Sequence, residues 1–83
     1  LHSAYPNPFN PSTTIRFDVP TEGFVSLKVY VVLGREVATL VNARMTAGNH
    51  NITWDASDFP SGVYFYRLTA GSFIQTQKML VLK

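Results

Sequence analysis

The residues best suited to chemistry in this 83-residue chain are a few carboxylates and imidazoles. Asp55 and Asp58 are the closest carboxylate pair and could bind calcium, which takes six or more oxygen ligands. They could equally be turn residues between two strands, because aspartate readily accepts hydrogen bonds from nearby backbone. His2 and His50 lie far apart in the sequence. His50 alternates with apolar residues, which favours a packed or rim histidine over a ligand or a base.

Other candidate sites are weaker. The chain has no cysteine, and no serine lies in a Gly-x-Ser-x-Gly elbow. The segment 51–53 (Asn-Ile-Thr) matches an N-glycosylation acceptor, but it falls within an expected strand. Tyr64, Phe65 and Tyr66 could stack on a sugar, although successive strand side chains face opposite ways and at least one must be core. We therefore predict a non-enzymatic chain with no catalytic residues, no metal and no cofactor.

Composition narrows the function classes further. Hydrophobic residues make up 46% of the chain, aromatic residues 13% and charged residues 14%. This balance excludes a disordered tail, and a dispersed net charge of +2 argues against nucleic acid as a partner. The longest apolar run, Val29 to Leu33, is too short to span a bilayer. Because the chain begins at Leu1 without an initiator methionine or a leader pattern, we interpret it as a fragment of a longer protein.

The elements that must position any site are strands. Thr13–Val19 and Phe24–Tyr30 alternate apolar and polar residues with the period of two that is typical of half-buried strands. Arg35–Val41 is predicted to be a third strand. Val37 and Leu40 can share a face of it only if the strand contains a bulge.

The second half of the chain continues the β-pattern. Asn42–Gly48 is predicted to be a loop and Asn49–Trp54 a fourth strand, and Gly62–Thr69 and Phe73–Leu82 form a hairpin. Six or seven short strands at this spacing predict an all-β sandwich or barrel.

The first twelve residues are patterned differently. Pro6, Pro8 and Pro11 each remove a backbone donor and push the preceding residue toward extended geometry. We therefore divide the chain into a Pro/Asn-rich lead-in, residues 1–12, and one domain, residues 13–83.

The last strand permits two interpretations. Lys78 and Lys83 bracket an apolar run that consists of Met79, Leu80, Val81 and Leu82. The run could be a final sheet strand whose charges discourage edge-to-edge pairing. It could also be a terminal tag that another protein reads. Composition leaves both interpretations open.

Several short motifs occur in a characteristic order along the chain. They are Tyr5–Ile15 (YPNPFNPSTTI), Val29-Tyr30, Leu33–Val37 (LGREV), Gly48-x-His50, Trp54–Ala56 (WDA), Pro60–Leu68 (PSGVYFYRL) and Lys78–Lys83. In this order they resemble the type A C-terminal sorting domains of the type IX secretion system. Val31 departs from the resemblance, because the family usually carries Asp or Asn there. We interpret this departure as a local change in the turn before Gly34.

The resemblance implies an immunoglobulin-like β-sandwich of about seven antiparallel strands, of the Greek-key type. It further implies a secretion signal that directs a cargo protein through the outer-membrane translocon and is then removed by a sortase at the cell surface. The route runs through the periplasm to the cell surface or the medium. The implied partners are the translocon and sortase proteins and a covalently attached cargo, with no membrane-spanning segment and no nucleic acid.

The family's motif positions carry over to recognition residues in this chain. They are Pro60, Gly62, Tyr64, Lys78, Met79, Leu80, Val81, Leu82 and Lys83. The alternative function is a structural or adhesive immunoglobulin-like module of a larger extracellular protein, similar to hook-capping proteins or to a carbohydrate-binding accessory domain.

Overall fold

A computed structural model describes residues 1–2 and 12–82, and in these ranges the chain forms six strands and no helix. The strands are β1 (Ser12–Val19), β2 (Gly23–Val31), β3 (Glu36–Met45), β4 (Gly48–Asp55), β5 (Gly62–Ala70) and β6 (Phe73–Val81). They form two antiparallel sheets, β1-β4 and β3-β2-β5-β6. The expected all-β sandwich is confirmed, with six strands in the described residues where about seven were expected. Most of the lead-in and Lys83 lie outside the described residues.

Period-two alternation builds the core between the sheets. In β1 and β2 every second residue is buried, and the residues between them are exposed or half-buried. β5 follows the same pattern, which places its tyrosines inside. The buried apolar side chains of both sheets form one cluster: Ile15, Phe17, Val19, Val25, Leu27, Val29, Trp54, Ala56, Tyr64, Tyr66, Leu68, Met79 and Val81.

The edge strand β3 contains the irregularity that its sequence requires. Its register with β2 shifts twice, so that Leu40 and Val37 are left without a directly opposite residue. These bulges let both side chains pack against the core. The prediction of a loop over residues 42–48 is wrong, because β3 continues to Met45. Asn42 and Arg44 have the polarity of loop residues because both are exposed, but they pair with Ser26 and Phe24 of β2.

The β5–β6 hairpin is regular over its whole length. Nine residue pairs run from Gly62 opposite Val81 to Ala70 opposite Phe73. Gly71 closes the hairpin at a φ of 63°, a conformation that glycine adopts without a steric penalty. β5 also pairs with β2, and β1 with β4, so that two of the four strand pairings join strands that are not consecutive in the sequence, as in Greek-key sandwiches.

The first two residues connect the sheets. The His2 backbone N–H donates to the Arg16 carbonyl in β1 at 2.8 Å. From the other sheet, the Tyr66 hydroxyl donates to the His2 carbonyl at 2.9 Å, and the Gln77 side-chain amide donates to the Leu1 carbonyl at 3.4 Å. Leu1 also packs against the core, so this end of the chain closes one side of the sandwich.

Candidate functional site

Three of the motif positions lie in the turn before β5 and in the first residues of β5. Pro60 is exposed, and the Tyr64 hydroxyl donates to the Pro60 carbonyl at 2.7 Å. Gly62 lies between them at a φ of 152°, where a side chain would strain the backbone. A buried tyrosine therefore fixes the turn by its hydroxyl, while glycine lets the chain enter the strand.

Aromatic packing holds Tyr64 in place. Its ring meets the Trp54 ring edge-on, with centroids 5.6 Å apart, and the Phe59 ring at 6.3 Å. Trp54 and Phe59 also contact each other at 5.4 Å. Such tilted and edge-to-face pairs add stabilisation beyond the area that they bury. The cluster packs β4, the β4–β5 connection and β5 together, and we call this group of Trp54, Phe59 and Tyr64 the aromatic corner.

The expectation that at least one of the three consecutive aromatic residues of β5 is core is confirmed. Tyr64 and Tyr66 are buried, and Phe65 alone of the three faces away from the core, half-buried. Because the three aromatic residues alternate across the sheet, they do not present one flat surface to a ligand.

The last strand divides its motif positions between two faces. Met79 and Val81 are buried, whereas Lys78 and Leu80 point to the opposite side and are exposed. Leu82, just after the strand, is also exposed. The apolar run is therefore a sheet strand with alternate residues exposed, which is the first of the two interpretations that the sequence left open.

The candidate carboxylate site has a turn geometry. The Asp55 side chain accepts a hydrogen bond from the Ser57 backbone N–H at 2.9 Å, which is the aspartate turn considered as the alternative to calcium. Asp58 is exposed in the same connection. Within residues 1–2 and 12–82, no group of three or more histidine, aspartate or glutamate side chains is placed to hold a metal ion.

The histidines occupy separate positions. His50 stacks on Phe17, with ring centroids 5.6 Å apart, and its Nε2 lies 2.8 Å from the Thr46 carbonyl. This confirms the packed, rim position expected for it. His2 Nε2 lies 3.1 Å from an Asp18 carboxylate oxygen in an exposed pair on the far side of β1.

A groove of about 580 Å³ opens where the β1–β2 turn approaches the β5–β6 hairpin. Phe24 and Phe73 line it together with Glu22, Ser26 and Thr69. The motif positions in the β4–β5 connection and in late β6 lie at the other end of the hairpin. The groove is therefore separate from the aromatic corner and from the motif positions at the end of β6.

Comparison with known families decides what this arrangement belongs to. The sequence model described as a secretion system C-terminal sorting domain matches residues 3–83. The chain belongs to this family. The match confirms the resemblance to type IX sorting domains and extends over both the aromatic corner and the last strand. It also implies that the sorting domain is part of a larger exported protein.

No curated protein and no solved structure matches the chain. Across the described residues, no helix has the length and hydropathy needed to cross a bilayer.

Proposed function

We propose that this sorting domain directs a cargo protein through the type IX outer-membrane translocon and that a sortase then removes it at the cell surface. The observation that carries the proposal is the family match over residues 3–83. The fold supports it, because a single core joins both sheets and gives the tag a shape of its own. The cargo travels through the periplasm and ends at the cell surface or in the medium.

The accessible motif positions are the ones that we assign to direct recognition. Lys78 and Leu80 project from the same side of β6, about 7 Å apart along the strand. Leu82 and the exposed Pro60 turn lie at the same end of the hairpin, since Gly62 is opposite Val81. A receptor can contact these groups without opening the core.

The buried motif positions act through the accessible ones. Met79 and Val81 anchor β6 in the core, and Tyr64 fixes the Pro60 turn through its hydroxyl. Under this proposal the chain supplies a shape and the sortase supplies the chemistry. The domain is therefore a substrate and has no catalytic residues of its own.

The test is to fuse residues 1–83 to a periplasmic reporter in a host that has the type IX route. We expect the reporter at the cell surface or in the medium. Deleting Lys78–Lys83 should leave it in the periplasm, but this deletion also removes two core residues. The double variant Lys78→Ser, Leu80→Ser changes accessible side chains alone.

A matched control changes a cation and an exposed apolar residue elsewhere, Arg16→Ser with Val32→Ser. Circular dichroism melts establish that both double variants are folded. Retention of the unmodified fusion in the periplasm contradicts the sorting role and favours a structural or adhesive module. Normal export of the Lys78→Ser, Leu80→Ser fusion contradicts the role assigned to β6.

A further inference from the structure

The four-stranded sheet has an outer face, turned away from the core, that concentrates positive charge. This outer face consists of every second residue of its strands, in β2 from Phe24 to Tyr30, in β5 from Val63 to Thr69 and in β6 from Ile74 to Leu80, with their same-side partners in β3. Four of the chain's seven Lys and Arg residues lie on it: Lys28, Arg44, Arg67 and Lys78. Glu36 is the one carboxylate among its described strand residues.

Three of these cations occupy neighbouring positions at the centre of the outer face. Lys28 in β2 lies directly opposite Arg67 in β5, and Lys78 in β6 is opposite Phe65, one diagonal step from Arg67. Like charges directly opposite on a sheet destabilise the pairing. The fold keeps this pair and moderates it with two contacts. Lys28 Nζ lies 3.4 Å from Glu36 Oε1, and the Arg67 guanidinium lies 5.0 Å from the Tyr30 ring centre.

Two of the central cations are available to a partner. Among the described residues, neither Arg67 nor Lys78 forms an ion pair. The Tyr30 ring lies under the Arg67 guanidinium and restricts the orientation of that group. A planar guanidinium held in this way is suited to bind a carboxylate through two parallel hydrogen bonds.

Apolar side chains flank the cations at both ends. Phe24 is 56% exposed and Ile74 is 62% exposed at the end near the β5–β6 turn, and the paired Val63 and Leu80 are exposed at the other. In the described residues of β1 and β4, no large hydrophobic side chain is exposed. Apolar groups beside arginine are typical of protein–protein contacts, whereas a polyphosphate has no apolar groups for Ile and Leu to pack against.

We infer that this outer face binds an acidic protein surface, with carboxylates opposite Arg67 and Lys78 and apolar side chains at both ends. Strands of nine residues at the usual spacing give a face of roughly 30 by 19 Å. That area belongs to weak, transient contacts, as suits a partner that must release the domain. The inference deepens the proposed sorting role, on which it rests for the partner being part of the export machinery.

The test compares two charge reversals with the same change in net charge. Arg67→Glu alters the centre of the outer face, and Arg16→Glu alters an exposed residue on the other sheet. Arg67→Glu should fold, because it replaces a like-charge pair with an opposite-charge pair across from Lys28. The probe is a labelled synthetic peptide of glutamate and leucine. Polyglutamate, polyphosphate and a lysine–leucine peptide serve as comparison ligands.

We expect the glutamate–leucine peptide to bind and to lose affinity on the order of tenfold with Arg67→Glu but little with Arg16→Glu. Binding should weaken as salt is added. Equal loss in both variants would mean a response to net charge and would overturn the inference. Undetectable binding of the glutamate–leucine peptide would also overturn it. So would polyphosphate that binds as tightly as this peptide and whose affinity is unchanged by Ile74→Ser.

Export of the reporter fusion separates this inference from the sorting role. If the unmodified fusion is exported and Arg67→Glu alone reduces export, both stand. If both variants are exported normally, the sorting role stands and the outer face is not a contact with the machinery. If the unmodified fusion is not exported, the sorting role fails, and peptide binding alone decides whether the outer face is an acidic-partner site.

Discussion

The two sides of the β5–β6 hairpin differ in almost every property, although they come from the same eighteen or so residues. On the inner side Tyr64, Tyr66 and Met79 are buried among the core side chains. On the outer side Arg67 and Lys78 are exposed. Because a strand alternates sides at every residue, one stretch of sequence specifies both the shape of the domain and the surface that a partner meets. Motif positions therefore divide into those that build the hairpin and those that are displayed by it.

The largest loss of stability is expected from a substitution in the aromatic corner of the inner side. Trp54 is 4% exposed and packs on Tyr64, so Trp54→Ala should lower the free energy of unfolding by about 3–5 kcal/mol. Urea titration followed by circular dichroism measures the loss. The control is Val32→Ala in the exposed β2–β3 turn, which should change stability by less than about 0.5 kcal/mol. A loss below about 1 kcal/mol for Trp54→Ala would show that the corner is not part of the core.

Neighbouring residues of β6 sharpen the comparison within one strand. Met79→Ala should cost about 2–5 kcal/mol, because it leaves a cavity in the core. Lys78→Ala should cost less than about 0.5 kcal/mol, because its side chain is exposed. In a reporter export assay at a temperature where both variants are folded, Lys78→Ala should reduce export more than Met79→Ala does. Equal stability losses would contradict the division of the strand into two sides.

A hydroxyl on each side gives a finer test. Tyr64→Phe removes the hydrogen bond to the Pro60 carbonyl and should cost about 1 kcal/mol. Tyr30→Phe, on the outer side, keeps the ring under Arg67 and should be nearly neutral. Thermal melts compare the two variants directly. A neutral Tyr64→Phe would mean that the turn is held by ring packing alone.

Much of the inner side could be predicted from the sequence, because alternation is a local signal. The buried faces of Thr13–Val19 and Phe24–Tyr30 follow from residue order alone, and so does the need for an irregularity in β3 if Val37 and Leu40 are to share a face. The second half of β3 could not be predicted, because Asn42 and Arg44 are as polar as loop residues. It is their pairing with β2 that makes them a strand.

The outer face could not be predicted from the sequence. Lys28 and Arg67 lie 39 positions apart, and their opposition depends on the β2–β5 register, which no local pattern determines. Val31, where the chain departs from the resemblance, is the last residue of β2 and leads into the turn before Gly34. The Val31 carbonyl accepts from the Gly34 N–H at 2.8 Å, and the Val31 N–H donates to the Arg35 carbonyl at 2.9 Å. Two backbone hydrogen bonds therefore close this turn.

The smallest expected effect concerns Glu36 on the outer face. The Thr39 hydroxyl donates to the Glu36 carboxylate at 2.8 Å, and this bond, followed by the charge of Lys28, lowers the pKa of Glu36 below its ordinary value. A lowered pKa stabilises the fold above the ordinary pKa, and this contribution disappears as the pH falls through the folded-state value. NMR titration should show a higher Glu36 pKa in Thr39→Val.

Lys28→Met is the companion variant for Glu36 and should raise the same pKa by less. An unchanged pKa in Thr39→Val, together with a rise in Lys28→Met, would contradict the assigned cause. In either case the carboxylate is exposed and the change in unfolding free energy should be slight. Outer-side contacts of this kind contribute little to folding, so the charged residues there can be altered for recognition without loss of the domain. The inner side has no such freedom.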